Sequence, residues 1–237
     1  MGDARGVGDV MTRPVLVGTS DLERSSVVAN NAMNRERGLA GVNSYARELG
    51  VDPLARLAGP APSWLDLCSG EGRALREAAS ALPADAVLTA VDLVGPLVPL
   101  PTPPTLEEIT ASVSTWVPTR AYDLITCVHG LHYVGDQLGL LSRAASWLTR
   151  DGLLLAHFDP ESIHWADGTA AGRAVLAALR AAGFTYDTRR HLLTLQGART
   201  TTLPFTYLGA DPAAGPNYTG QPAVGSHYSR TVTDTAG

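Results

Sequence analysis

The sequence predicts an α/β fold: a doubly wound, mostly parallel seven-stranded sheet that closes on a terminal antiparallel hairpin, with a helical segment ahead of it. Three observations predict it. From residue 62 onward short apolar runs alternate with helical periods, the pattern of parallel strands covered by helices on both faces. The first apolar run lies in WLDLCSGEGRAL (64–75), where two closely spaced glycines precede a helix. Two late runs, TRRHLLTLQ and TTTLPFTYL, are separated only by QGAR, as in a hairpin.

Each element has its own warrant. Residues 1–20 show no period and read as a flexible leader, with Met11 as an alternative start. Residues 21–60 are helical, with Asp52 as N-cap and Pro53 at a first helical position. PSWLDLC is a buried strand. GRALREAASAL is a helix with Ala74, Leu75, Ala78 and Leu82 on one face, and it stops at Pro83. AVLTAVD is the second strand. Five prolines across 96–105 forbid an ordinary crossover helix. ITASVSTW is read as the third strand and YDLITCV as the fourth, followed by the helix DQLGLLSRAASWL, which Asp136 opens. LLLAHF after Gly152 is the fifth, and TAAGRAVLAALRAAG a helix ended by Gly183. The main domain spans 61–210. Residues 211–237 form a Gly/Pro-rich tail that carries Tyr218, His227 and Tyr228.

Composition excludes several classes. The chain has 237 residues, a net charge of −5 and no lysine, so P-loop and Schiff-base chemistry fall away. No basic stripe is present to grip nucleic acid. Cys68 and Cys127 are too few for a disulfide framework, and no apolar run reaches 18 residues. The expectation is a cytoplasmic protein with neither membrane nor nucleic-acid partner.

The glycine loop decides the ligand class. Open sheets bind ligands beyond the carboxyl ends of their strands. A dinucleotide needs G-x-G-x-x-G, but Leu75 stands where the third glycine belongs. Asp66 and Glu71 would repel a pyrophosphate, at about 2–3 kcal/mol for each like-charge pair near 6 Å and an effective dielectric of about 20. S-adenosylmethionine has no phosphate. Its sulfonium and ammonium groups would be attracted by Asp66, Gly70 and Gly72 would admit it to the backbone, and Asp92 could accept both ribose hydroxyls.

LDLCSGEGR, TAVD and YDLITCVHGLHYV together resemble the glycine signature, second-strand acid and fourth-strand loop of the class I S-adenosylmethionine-dependent methyltransferases, over residues 62–160. The resemblance implies a Rossmann-like fold with S-adenosyl-L-methionine as cofactor. It implies a cofactor site of Asp66, Cys68, Ser69, Gly70, Gly72, Asp92, Leu93, Ser114, Cys127 and Val128. Ser114 stands near the place of the family's adenine-binding acid, which this sequence lacks, and Cys68 replaces a glycine. The family's N-terminal helices often form a lid, which makes Tyr45 and Asn43 candidates for the methionyl end.

His129, His132 and Tyr133 follow the fourth strand, beside the expected methyl group. A histidine there could take the acceptor's proton, and Tyr133 could cap the substrate. His129, His132 and Asp159, with His157 nearby, also form a three-ligand set, but imidazoles fit magnesium poorly and no metal is expected. The partner expected is a small-molecule acceptor, methylated on oxygen, nitrogen or carbon in secondary metabolism, and a homodimer is left open. Two rival readings are aminocarboxypropyl transfer or cyclisation with release of methylthioadenosine, and a cofactor-binding module without turnover.

Overall fold

The computed structural model describes residues 14–29, 36–96 and 101–231. Met11, the leader up to residue 13 and residues 97–100 of the proline segment lie outside the described residues. Four short helices come first: α1 (Thr19–Glu23), α2 (Ser26–Ala29), α3 (Tyr45–Leu49) and α4 (Pro53–Arg56). Ser44 caps α3 and Asp52 caps α4, each by accepting from a first-turn N–H. The helical stretch expected over 21–60 is broken where Gly50, at φ 67°, ends α3 in the left-handed conformation.

The sheet begins with β1 (Ser63–Leu67), α5 (Arg73–Ala79), β2 (Val87–Asp92), β3 (Leu106–Thr110) and β4 (Tyr122–Cys127). It continues through α6 (Gln137–Ser146), β5 (Leu148–His157), β6 (Ile163–Trp165), α7 (Gly172–Ala181), β7 (Thr185–Asp187) and β8 (Leu192–Gln196). The last strands are β9 (Phe205–Asp211) and β10 (Gly225–Arg230). Seven strands lie in the order β3-β2-β1-β4-β5-β8-β7, parallel except where β8 meets β5 and β7. β1 pairs with β2 on one side and β4 on the other, so the winding reverses there and a crevice opens beyond their carboxyl ends.

Alternation along β1 explains the two cores. Leu65 and Leu67 face one way, with Ile125 and Leu141, while Trp64 faces the other, with Leu75 and Leu88. Asp66 shares the face of Trp64.

Three strand expectations need correction. The third strand is not ITASVSTW but Leu106–Thr110, because the chain resumes its ladder immediately after the prolines. Two glutamates in this edge strand hide its period, and Ser112–Trp116 is a turn. The fifth strand starts at Leu148, five residues early, and carries Gly152 within it. The hairpin joins β7 to β8, while β9 leaves for a second sheet of order β6-β10-β9. TRRH is a turn rather than strand: Asp187 Oδ1 accepts from the N–H groups of Arg189 and Arg190. Part of the segment expected as a tail becomes β10, the central strand of that second sheet. Val224 N donates to the His132 carbonyl, and Gln137 donates to Ser226.

Candidate active site

The loop after β1 takes three alternating left-handed residues: Cys68 at φ 57°, Gly70 at 62° and Gly72 at 66°. Cysteine replaces glycine at 68 without strain only where no positive φ is needed; the structure imposes one, at a cost of about 1–2 kcal/mol. The conformation turns the Gly70 N–H toward Asp92, whose Oδ2 accepts at 2.9 Å, while Oδ1 accepts from Val94 N at 3.0 Å. Gly130 closes the loop from the β4 side. A Cβ there would stand 2.3 Å from Cys68 Cβ, so only glycine fits.

Beyond these strand ends lies an open cleft with about 840 Å³ of empty space, solvent at its mouth included. Gly70, Asp92, Leu93, Ser114 and Val128 line it, as does Glu23 from α1. Glu23 accepts a hydrogen bond from Ser112 Oγ.

A second cavity, with about 990 Å³ of empty space including the solvent at its mouth, opens beside the first. The two share Arg37, His129 and Gln221. His129, in the left-handed region at φ 59°, follows β4 with its ring stacked on His157, centroids 4.0 Å apart and planes 8° from parallel. Its Nε2 lies 3.0 Å from Glu48 Oε2, and its Nδ1 lies 3.3 Å from the Tyr218 hydroxyl. The bond from His129 holds the Glu48 carboxyl down at about 2, so it stays ionised. Burial pushes His157 down to about 3, aided by the neighbouring His129. It is therefore neutral, and its 3.8 Å approach to Glu48 is not an ion pair. Tyr218 lies flat on His191, centroids 3.7 Å apart, and its backbone N–H donates to Asp159.

Glu48, His129 and His157 bring three donor atoms within 4.8 Å of one another. Their geometry does not suit one ion. Imidazole lone pairs lie in the ring plane, and two nearly parallel planes about 4 Å apart have no common point for a metal at bonding distance. The alternative set of His129, His132 and Asp159 is not assembled among the described residues.

A family described as "Methyltransferase domain" matches residues 42–195, well over half of the chain. The protein belongs to this family. Together with the reversed winding of the sheet, membership makes it a class I S-adenosylmethionine-dependent methyltransferase. No curated protein matches it in sequence. Among solved structures, the antibiotic-resistance methyltransferase Kmr is 22% identical, with a TM-score of 0.41, over 69% of this chain and 98% of that one. The plantazolicin methyltransferase BpumL, with a pentazolic desmethylPZN analogue and SAH, is 18% identical, with a TM-score of 0.35, over 40% of this chain. CalS10, an amino pentose methyltransferase from Micromonospora echinaspora, is 18% identical, with a TM-score of 0.35, over 45%. The matches span 38% of the BpumL chain and 47% of the CalS10 chain.

The methyltransferase places most of the expected residues at the first cavity: Cys68, Gly70, Asp92, Leu93, Ser114, Val128, His129 and Tyr133. Ser69 and Gly72 border a small adjoining hollow that also reaches Asp92. Four residues depart from expectation. Asp66 is fully buried under α3, where it accepts from Tyr45 Oη and Thr126 Oγ1, both at 2.6 Å. Trp64 Nε1 donates to the same Thr126 hydroxyl at 2.8 Å. Burial pushes the Asp66 carboxyl up to about 7, against the pull of both hydrogen bonds. Neither Asp66 nor Tyr45 lines a cavity, because strand alternation aims Asp66 at the helix-covered face. Their bond pins α3 to β1. Cys127 packs in the core on the other face. His132 is 1% exposed, and neither ring nitrogen meets a polar partner. Burial first, and then the charges of His129 and His191, lower it to about 3. It has no route for a proton.

Sequence reasoning missed Glu23, Glu48, Arg37 and His191. None belongs to a local motif. They meet only because α1, the β2 end and the β3–β4 turn converge on one cavity, and α3, β4 and the β7–β8 turn on the other.

Proposed function

We propose that this methyltransferase acts on a small-molecule acceptor held in the second cavity, with S-adenosylmethionine in the first. The observation that carries the reading is the shared wall: His129, Arg37 and Gln221 are the residues common to both cavities. The cofactor's ribose hydroxyls would bond to the carboxylate of Asp92, which the Gly70 and Val94 N–H groups hold in place at the mouth of the first cavity. Glu23 replaces the absent adenine acid, with Ser112 and Ser114 beside it. α1 thus supplies one wall, consistent with a lid.

The acceptor's nucleophilic atom attacks the methyl carbon in line. The carbon–sulfur bond breaks, sulfur keeps the electron pair, and S-adenosylhomocysteine leaves. Where the acceptor is a hydroxyl or protonated amine, its proton passes to His129. Glu48, ionised and 3.0 Å from Nε2, fixes the ring and stabilises the imidazolium that forms. Nδ1 is then the basic nitrogen, and the Tyr218 hydroxyl stands next to it. Most of the acceleration comes from holding the two substrates in register. His129→Asn should leave S-adenosylhomocysteine affinity within about twofold and lower kcat by about 10²–10⁴, measured by product mass spectrometry with an acceptor found in cell extract. An unchanged kcat removes the base assignment.

A further inference from the structure

The second cavity has a wall chemistry that the first lacks. Arg37, Arg47, Arg189 and Arg190 line it, and Glu48 is the carboxylate among its described lining residues. This concentration stands out in a chain of net charge −5. It is also built rather than scattered. Arg189 and Arg190 project from the β7–β8 turn, whose backbone Asp187 fixes through two N–H bonds. The Arg190 guanidinium lies across Gly50 at the end of α3, with Nη1 1.3 Å from where a Cβ would stand, so glycine there makes its seat. Arg47 comes from α3 itself and spends one donor on the Val42 carbonyl.

Among the described residues, no carboxylate forms a salt bridge with Arg47, Arg189 or Arg190. Guanidinium groups gathered at one mouth repel one another, and a bound oxyanion would relieve that repulsion. Their planar forks suit a carboxylate or phosphate. Ionised Glu48 sits beside His129 at the inner end, where it would turn an anionic group away and leave room for the uncharged nucleophile.

We propose that the acceptor is an anionic small molecule: Arg189 and Arg190, with Arg47, hold its carboxylate or phosphate while its hydroxyl or amine reaches His129. The inference rests on the reading of the second cavity as the acceptor site. The test is a titration of malonate and of inorganic phosphate into protein saturated with S-adenosylhomocysteine, followed by histidine ring resonances, in the wild type and in the double variant Arg189→Gln/Arg190→Gln. Both proteins are first checked for S-adenosylhomocysteine affinity by calorimetry. Anion binding that shifts His129 or His157, and that weakens at least about tenfold in the double variant with cofactor affinity unchanged, is the expected result. The tighter of the two probes distinguishes a carboxylate from a phosphoryl acceptor. Equal anion affinity in both proteins, or no binding of either probe, overturns the inference and leaves the cofactor site standing. Failure of the wild type to bind S-adenosylhomocysteine sinks the functional reading itself.

Discussion

The two cavities meet at His129 and are assembled in opposite ways. The first is made by backbone: left-handed turns at 68, 70 and 72, strand ends, and an Asp92 tied to two N–H groups. Its charged lining residues are Glu23, Asp92 and the shared Arg37, a balance suited to a cationic cofactor. The second is made by side chains from α3, the ends of β4 and β5, the β7–β8 turn and the segment before β10, and arginine dominates it. On the proposed assignment, one scaffold separates a positive donor from an anionic acceptor by opposite local charge, although the protein's net charge of −5 suits only the first. Net charge describes a surface, and a site is decided by the few groups that converge on it.

The sharpest way to break this division is Asp92→Ala. It should weaken S-adenosylhomocysteine binding by about 1.5–3 kcal/mol, the range for lost charged hydrogen bonds, while malonate affinity stays the same. Calorimetry on the folded variant reads both. Equal losses for both ligands would merge the two cavities into one site.

A smaller effect concerns Asp66, which touches neither cavity. Its folded pKa of about 7 exceeds the ordinary carboxylate value, so the folded protein holds a proton that the unfolded chain releases. Stability therefore falls as pH rises from about 4 toward 7, and the loss is complete above that. Asp66→Asn has no such titration, so its stability relative to wild type should improve from pH 5 to about pH 7 and level off above that in urea unfolding. Parallel curves would mean that the carboxylate is ionised throughout. A loss of cofactor affinity in the same variant would return Asp66 to the site.

The legibility of each cavity in the sequence follows from its construction. Gly70, Gly72 and Asp92 sit within or just after a strand-turn-helix signature whose spacing implies geometry, and alternation of apolar runs yields the parallel order. Asp66 lies away from both cavities because a strand's period of two decides which face an acid takes, and α3, which covers that face, lies some 20 residues upstream. His132 was paired with His129 by proximity in sequence, yet a 3₁₀ turn over Gly130–Tyr133 buries one and leaves the other at the shared wall. Arg189 and Arg190 looked like strand residues until Asp187 folded them into a turn. Glu23 and Glu48 carry no local signal, since only long-range packing brings them in, whereas Tyr218 stands out in the sequence as an aromatic within a Gly/Pro-rich tail.

The central claim is that the cofactor's methyl group lies at the wall the two cavities share. Protein incubated with S-adenosylmethionine carrying a ¹³C-labelled methyl group allows nuclear Overhauser transfer from that methyl to be read directly. The account predicts cross-peaks to His129 ring protons and to Gln221 in the wild type. Cross-peaks confined to Ser112, Ser114 or Glu23, at the proposed adenine end, would contradict it.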